Sequence, residues 1–270
     1  MPSLLERFWN SSPASLSVAI RRRVRRLREG EEWHRITAGP AAGAELRVPV
    51  PLDSWALEMV NGSFDRFLYE AIARHRKLSG ARCWDIGAHV GYHALAFATQ
   101  GAQVVAFEPG GANAARFRQH LERNPGLAER IRLRQTAVAD RDGEMPFMEC
   151  GDLRGNSTGS HLTEATPPLR AEVYVNFQQQ TVPTVTIDTL IQKQGEPPPD
   201  IIKLDVEGAE HLVVRGGRVA LARHKPLLLV EVHHISVMFE FVQLLVALGY
   251  RLELLDREHA EPSRCFVCAF

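Results

Sequence analysis

The sequence predicts an α/β fold, a Rossmann-like and mostly parallel sheet with helices on both faces. Segments of strand and helix character alternate from residue 82 to residue 248. Some strand segments are continuously apolar, as at 227–230, which is typical of parallel strands buried on both faces. An acidic residue also stands at or next to the end of five strand segments, which favours a ligand site at one edge of the sheet.

Two segments precede this alternation. Residues 1–44 are interpreted as a short, partly helical N-terminal extension that is basic because of the arginine-rich run at 21–28. This run either makes a weak peripheral contact with an anionic membrane or is a solvated extension outside the core. Residues 45–80 are predicted to form a strand–helix module packed on the core. Its strand lies at 46–50, and its helix at 63–77 has apolar residues at helical spacing.

The remaining elements define a domain from residue 81 to residue 270. Its first half is predicted to contain strands at 82–86, 103–108 and 131–138, with helices at 92–100 and 111–123. Its second half is predicted to contain strands at 201–205 and 226–232 and helices at 208–221 and 237–248, the last ended by Gly249. Residues 251–255 and 265–270 are expected to pair as closing antiparallel strands.

Residues 141–186 interrupt the alternation. A strand is predicted at 144–149, followed by a loop at 151–161 that is rich in glycine and serine. Ser157, Thr158, Ser160 and His161 supply hydrogen-bond donors there, and such a loop is either a lid over a substrate or a plain solvent loop. Residues 181–187 return to strand character, and Pro183 indicates an edge strand because proline cannot donate to a neighbour.

The composition gives no support for a nucleic-acid-binding or membrane-spanning protein. Thirty-two basic and 32 acidic side chains give a formal net charge of zero, so the overall charge gives no support for nucleic-acid binding. No apolar run reaches the roughly 18 residues of a membrane span, and no signal peptide is expected. The four cysteines are scattered. Together these features favour a reducing, cytoplasmic setting.

The stretch from Asp85 to Gly91 (DIGAHVG) predicts a tight turn between a strand and a helix, where backbone N–H groups meet a nucleotide-like ligand. A dinucleotide fingerprint requires glycine where His89 stands, because the backbone must approach a pyrophosphate. Asp85 would repel a pyrophosphate but attract a cationic methionine-like group. Glu108 is placed to accept hydrogen bonds from both ribose hydroxyls. The ligand charge therefore favours S-adenosylmethionine, although Asp85 alone is also compatible with a helix cap and Glu108 with a surface strand end.

Six segments of the chain resemble the FkbM-type S-adenosylmethionine-dependent methyltransferase family. They are 84–92 (WDIGAHVGY), 106–109 (AFEP), 137–143 (AVADRDG), 185–190 (VTIDTL), 202–210 (IKLDVEGAE) and 229–233 (LVEVH). The resemblance covers roughly residues 84–233, and more loosely 62–270. It implies a seven-strand class I methyltransferase sheet and methyl transfer to oxygen, typically a hydroxyl of a sugar, a glycan or a polyketide-type small molecule.

On this basis the cofactor site is assigned to residues of the glycine turn and the strand ends. They are Asp85, Gly87, Ala88, His89, Gly91, Tyr92, Glu108, Asn113, Ala139, Asp140 and Asp205. The catalytic candidates are Lys203, Asp205, Glu207, Glu231 and His233. A divalent metal is compatible with this set, but no ligand is assigned to one.

The catalytic candidates have a spacing that brings them together. Lys203, Asp205 and Glu207 are spaced i, i+2 and i+4, so they share one face while their strand lasts, and Glu231 and His233 share one face of the next strand. If these strands flank the switch in strand order, their side chains converge near the donor methyl. The favoured interpretation is that His233 or Glu207 is a general base. Two other interpretations stay open. In one, the residues bind a divalent cation that activates the acceptor hydroxyl. In the other, Lys203 and Asp205 form a plain ion pair and Glu207 caps a helix.

Other histidines and functions complete the expectations. Packing is favoured over catalysis for His89 and His93, and His234 is expected to be exposed. Two other functions stay open for the whole chain: a nicotinamide-dependent oxidoreductase on the same class of fold, and a methyltransferase-like binding module without catalysis. The expected partner is a small-molecule or glycan hydroxyl acceptor, and no motif identifies it.

Overall fold

The structure is a computed structural model that describes residues 30–50, 52–151, 159–164, 175–255 and 265–270. The arginine-rich run and the rest of residues 1–29 of the predicted extension lie outside the described residues, as do Ser157 and Thr158. Within the part of the chain that the structure describes, no helix is long and apolar enough to cross a membrane.

A seven-stranded sheet forms the centre of the molecule, with the strand order β12-β13-β11-β10-β3-β4-β5. Its strands are β3 (Arg82–Ile86), β4 (Gln103–Phe107), β5 (Ile131–Arg134), β10 (Ile201–Leu204), β11 (Leu227–Val232), β12 (Leu252–Leu255) and β13 (Cys265–Ala269). The first five are parallel, and β13 runs antiparallel to both of its neighbours. The strand order reverses between β3 and β10, so the crevice at their carboxyl ends is where this class of sheet binds ligands.

Helices cover both faces of this sheet, as the sequence predicts. They are α1 (Ser54–Asn61), α2 (Arg66–His75), α3 (Tyr92–Thr99), α4 (Gly111–Arg123), α5 (Pro125–Ala128), α6 (Ile187–Gln192), α7 (Glu210–Gly216), α8 (Arg218–His224) and α9 (Ile235–Ala247). Successive residues of one strand belong to different cores. Ile201 lies with α2 and α3 on one face, whereas Ile202 lies with α8 and α9 on the other. This two-sided burial is why the strands are continuously apolar.

The prediction of one continuous strand at 131–138 is wrong. The chain turns at Thr136, whose N–H donates to the carbonyl of Arg134 and whose Oγ1 donates to the carbonyl of Pro183. β5 therefore joins the large sheet, while β6 (Ala137–Val138) pairs with β9 (Val175–Val185) in a second sheet. Because of this turn, Asp140 follows a strand of the second sheet and does not share the carboxyl edge of the first.

The helix predicted at 208–221 is also divided. It begins at Glu210, because Glu207 and Gly208 have positive φ angles of 54° and 100°. It ends at Gly216, where a Cβ would lie 2.0 Å from the carbonyl oxygen of Ala139. The two glycines at 216 and 217 thus allow α7 to pack tightly on its neighbours, and α8 starts as a separate helix.

The second sheet has four strands in the order β6-β9-β7-β8, with β7 at Gly143–Gly151 and β8 at His161–Leu162. The predicted strands at 144–149 and 181–187 fall in β7 and β9. The expectation that Pro183 marks an edge strand is wrong, since β9 pairs with β7 on one side and with β6 on the other. Pro183 stands just before the two residues that pair with β6, so its missing N–H does not interrupt that pairing.

The N-terminal module contains more structure than the sequence predicts. Strand β1 (Gly30–Arg35) pairs with β2 (Glu45–Val50), although β1 falls in the range interpreted as an extension. The side chain of Asn124, at the end of α4, bonds to both the N–H and the carbonyl of Glu45 and so fixes β2 on the core. Helix α1 is an addition to the predicted elements.

Candidate active site

A cavity of about 470 Å³ opens at the carboxyl ends of β3, β4, β10 and β11, a volume within the roughly 300–1,000 Å³ of small-molecule sites. Most predicted site residues line it: Gly87, Ala88, His89, Tyr92, Glu108, Asn113, Lys203, Asp205, Glu207, Glu231 and His233. Residues of the N-terminal module and of β8 close it from the other side. The strand-end rule therefore places the cavity where the sequence predicts a ligand.

The glycine turn is fixed by close backbone packing. Gly87 has a φ of +78°, and a Cβ there would lie 1.7 Å from the carbonyl oxygen of Asp205. A Cβ on Gly91 would lie 2.2 Å from the ring of Phe117. His89 adopts a positive φ of 51° as well. Three residues in the left-handed region within one short turn explain why the chain needs glycine at two of them.

Glu108 holds this turn from the end of β4. Its Oε2 accepts a hydrogen bond from the N–H of His89 at 2.8 Å, and its Oε1 accepts one from the N–H of Gly110 at 2.9 Å. Only 5% of Glu108 is exposed, which is incompatible with a surface strand end. Burial raises the pKa of this carboxyl to about 7, although the hydrogen bonds from Gly110 and His89 act in the opposite direction and lower it. Oε1 also accepts a longer hydrogen bond from Nδ2 of Asn113 at 3.4 Å, so Oε2 is the oxygen that keeps a lone pair for a ligand.

Asp85 does not line the cavity. It lies in β3 beside Lys203 of β10 and is fully buried, with 3.5 Å between its Oδ1 and the Lys203 Nζ. The Nζ of Lys203 donates to the carbonyl of Gly87 at 2.9 Å and lies 3.3 Å from Oδ2 of Asp205. Burial lowers the pKa of Lys203, but the two aspartates outweigh it and hold that pKa above its usual value. Asp85 therefore acts on the site through Lys203, and it is not a helix cap because α3 is preceded by Gly91.

His233 is the centre of a carboxylate cluster. Its Nε2 lies 3.5 Å from Asp205 Oδ1, 3.4 Å from Glu207 Oε2 and 3.6 Å from Glu231 Oε1. Its Nδ1 lies 2.9 Å from Oε1 of Glu210, which is fully buried. The predicted convergence thus occurs, although β10 and β11 are neighbours on the same side of the switch in strand order.

The electrostatics of His233 bear on its predicted role as a base. Burial lowers the pKa of His233, but the charge of Glu207 and the hydrogen bond to Glu210 outweigh it and raise that pKa to about 10. An imidazole with this pKa is protonated at neutral pH and cannot accept a proton. The carboxylates around it are better placed to do so.

Glu207 connects the cluster to the second sheet. Its Oε1 accepts a hydrogen bond from the N–H of Gly159 at 3.1 Å, next to β8. Its φ of 54° is rare for a residue with a side chain, and strain of this kind is common at functional sites. Glu207 does not cap α7, since the residue at the N-cap position is Ala209. The ion pair between Lys203 and Asp205 is present, so part of the non-catalytic alternative holds beside the cluster.

Some predicted residues lie elsewhere. Gly91, Ala139 and Asp140 do not line the cavity. Gly91 shapes the turn from behind, while Ala139 packs against α7 and Asp140 pairs with Arg141 at 3.5 Å. The expectation that His234 is exposed is wrong: only 6% of it is accessible, at the start of α9.

The histidines of the turn and of α3 have separate environments. His89 is half-buried beside the ring of Trp55, and desolvation lowers its pKa to about 4, so it is neutral at physiological pH. His93 bonds through Nδ1 to the hydroxyl of Tyr69 at 2.7 Å, and its Nε2 lies 3.3 Å from Asp65. Both rings also face the cavity.

Sequence reasoning missed several residues of this site. Trp55, Phe64 and Asp65 of the N-terminal module line the cavity, as does Thr136, whereas Ser160 and His161, which also line it, were named as donors of the predicted loop. The segment before β3 carried no recognisable motif, so nothing in the sequence pointed to it. Glu210 did carry a signal, because it closes the IKLDVEGAE segment three residues after Glu207.

The chain is similar in sequence to known methyltransferases. The family model described as "Methyltransferase FkbM domain" matches residues 85–252. The hexuronic acid methyltransferase AglP of Haloferax volcanii is 29% identical over 150 residues, 56% of this chain and 55% of that protein. The 2-O-methyltransferase NoeI of Sinorhizobium fredii is 31% identical over 145 residues, 52% of this chain and 58% of that protein. The chain therefore spans between half and two thirds of the length of these relatives.

A solved structure supports the fold. The methyltransferase FkbM from Methylobacillus flagellatus KT superposes with a TM-score of 0.51 at 18% sequence identity, covering 71% of this chain and 44% of that one. At this identity the likeness concerns the fold alone.

Proposed function

Because this chain belongs to the FkbM methyltransferase family, we propose that it is an S-adenosylmethionine-dependent O-methyltransferase whose acceptor is a hydroxyl group of a sugar or glycan. The single observation that carries this proposal is the shared cavity. It brings the glycine turn with its buried carboxylate Glu108 together with the carboxylate cluster around His233. The first is suited to a nucleoside and the second to a hydroxyl that must lose a proton.

The residues present fit a cationic nucleoside donor. Glu108 has a lone pair on Oε2 for a ribose hydroxyl, and Asn113, which bonds to Oε1 at 3.4 Å, lines the same wall. Ala88 and His89 would meet the donor along the turn, and Asp205 supplies negative charge near its cationic end. When bound, S-adenosylmethionine supplies an electrophilic methyl group that becomes attached to the acceptor oxygen, with S-adenosylhomocysteine as the second product.

The proton of the acceptor hydroxyl has candidate carriers in the cluster. A carboxylate oxygen of Glu207 or Glu231 takes it as the acceptor oxygen becomes nucleophilic, and passes it to solvent afterwards. His233 holds a positive charge and orients these carboxylates. Lys203 fixes Asp205 and the carbonyl of Gly87, so the donor and acceptor halves of the cavity keep a constant distance.

A sugar acceptor is supported by the relatives and by the cavity wall. The two curated relatives are described as a hexuronic acid methyltransferase and a 2-O-methyltransferase. In this chain Trp55 and Phe64 line the cavity, and Asp53 and Asp65, which flank them in the sequence, line the same wall. Aromatic faces combined with carboxylates suit the apolar faces and hydroxyl edges of a sugar ring.

Calorimetry tests the donor half of the proposal. We expect S-adenosylhomocysteine to bind one site per chain and the Glu108→Ala variant to lose that binding. No heat with the wild-type protein would refute the proposal, and binding of a nicotinamide cofactor instead would revive the oxidoreductase alternative. Turnover that is unaffected by Asp205→Asn would support a role for this cavity in binding without catalysis.

A further inference from the structure

The imidazole of His233 has an unusual environment for a buried side chain. Only 7% of the residue is exposed, yet its Nε2 has no hydrogen-bond partner among the described residues. Oxygens of Asp205, Glu207 and Glu231 surround that nitrogen at 3.4–3.6 Å. A buried polar atom in this position requires an explanation.

These distances are too long for good hydrogen bonds, for which N···O separations of about 2.7–3.2 Å are usual. They match another arrangement. Metal–ligand bonds of about 2.1 Å in a tetrahedron place neighbouring ligand atoms about 3.4 Å apart. The separations from Nε2 to Asp205 Oδ1 and to Glu231 Oε1 are 3.5 Å and 3.6 Å. Ligand atoms of Asp205, Glu231 and His233 all lie within 4.8 Å of one another.

The far side of the ring is arranged as in a metal-binding histidine. Nδ1 lies 2.9 Å from Oε1 of Glu210, which is fully buried and also accepts the N–H of Gly208 at 3.0 Å. A carboxylate that accepts the Nδ1–H holds the ring in one orientation and directs Nε2 to the opposite side, where a bound cation takes the place of the Nε2 proton. That side is the one occupied by the three carboxylates.

We propose that Asp205, Glu231 and His233 bind one divalent cation of the Mn²⁺ or Zn²⁺ class. A mixed set of one imidazole and two carboxylates suits these ions better than Mg²⁺, which takes oxygen ligands. Glu207 stays outside the set because only the ligand atoms of the other three residues all lie within 4.8 Å of one another, although its Oε2 lies 3.4 Å from Nε2. Lys203 approaches Asp205 through Oδ2, whereas Oδ1 is the oxygen that faces His233.

The cation would act on the acceptor hydroxyl, and this role rests on the proposed function. The binding of the cation does not depend on the proposed function. Three protein ligands leave a coordination position for a hydroxyl oxygen. Coordination lowers the pKa of that hydroxyl, so its O–H bond breaks and the proton goes to a carboxylate oxygen of Glu207. The electron pair left on oxygen forms the new bond to the methyl group, and the pair of the broken carbon–sulfur bond stays on sulfur.

The test is a titration of the chelator-treated full chain with Mn²⁺ alone, followed by electron paramagnetic resonance of the free ion. We expect one Mn²⁺ per chain, at least tenfold weaker binding in Glu231→Gln and in His233→Gln, and unchanged binding in Glu240→Gln. Glu240→Gln is a matched control because it makes the same change of charge as Glu231→Gln. It does so on α9, where Glu240 pairs with Arg215. Zn²⁺ by calorimetry gives the same comparison for the second ion.

A measurement on the wild-type protein keeps the proposal testable if a variant does not fold. Bound Mn²⁺ should broaden the amide signals of Gly87 and Gly208 in nuclear magnetic resonance spectra while leaving that of Arg35 sharp. Absence of Mn²⁺ and Zn²⁺ binding, or binding that neither variant weakens, would overturn the proposal. Binding of S-adenosylhomocysteine, measured in the presence of chelator, distinguishes failure of the metal proposal from failure of the proposed function. If S-adenosylhomocysteine binds but neither Mn²⁺ nor Zn²⁺ does, only the metal proposal is wrong. If the metal binds but S-adenosylhomocysteine does not, the proposed function is wrong.

Discussion

Replacing Glu108 with glutamine tests the donor site at its most constrained residue. The two carboxylate oxygens accept the N–H groups of His89 and Gly110 at 2.8 Å and 2.9 Å. An amide has the same shape, but its NH₂ group must face one of these donors. One acceptor for a ribose hydroxyl is lost at the same time.

The size of the effect follows from these bonds. A hydrogen bond to a charged group contributes about 1.5–3 kcal/mol, so we expect binding of S-adenosylhomocysteine to weaken about 10- to 150-fold. The effect on the free energy of unfolding should be smaller, because the neutral amide avoids the cost of burying a charge. That cost is what raises the pKa of Glu108.

Isothermal titration calorimetry at about pH 8, where the carboxyl is ionised, measures this change. Asp140→Asn is the matched control, since Asp140 lies outside the cavity and pairs with Arg141. We expect this control to bind like the wild type. Equal affinity of Glu108→Gln and the wild type would refute the assignment of Glu108 to the donor site, and a loss in Asp140→Asn would move the site toward β6.

Three further predictions concern pH, packing and a buried bond. Because burial raises the pKa of Glu108 to about 7, we expect the affinity for S-adenosylhomocysteine to fall about tenfold between about pH 8 and about pH 6, and Glu108→Gln to show no such fall in calorimetry. Gly91→Ala should lower the free energy of unfolding by roughly 2–5 kcal/mol in urea, because its Cβ would meet Phe117 at 2.2 Å with a φ of +90°. Gly126→Ala, with no atom within 4 Å, should change it by less than about 1 kcal/mol, and similar losses in both variants would contradict the steric argument. Tyr69→Phe removes the 2.7 Å bond to His93 and should cost about 1–3 kcal/mol in thermal unfolding; an unchanged midpoint would show that this bond contributes nothing.

The central part of the fold was predictable because its signals are local. The apolar strand, the glycine turn and the helix from Arg82 to Thr99 follow one another without interruption, and each has its own sequence pattern. The same holds for the segment around Asp205, where a buried strand ends in a run of acids. Strand-end geometry then brings Asp205 and His233 together without further information.

Features that depend on pairing between distant segments were not predictable in this way. The turn at Thr136 is fixed by a bond to Pro183, which follows it by many residues, so the pattern of 131–138 reads as one strand. Position 216 of α7 requires glycine because the carbonyl of Ala139 approaches it, a contact that no local rule describes. Trp55 and Phe64 reach the cavity only through the packing of the N-terminal module.

The central claim is methyl transfer to a sugar hydroxyl, and product analysis tests it most directly. The full chain is incubated with S-adenosylmethionine labelled with ¹³C in the methyl group and with oligosaccharides that carry neutral or hexuronic acid residues. We expect a labelled methyl carbon bonded to a sugar oxygen, formed by the wild type, formed about 10- to 150-fold more slowly by Glu108→Gln at subsaturating donor, and absent with Asp205→Asn. Binding of S-adenosylhomocysteine with no labelled sugar, or a labelled methyl on nitrogen or carbon, would contradict it.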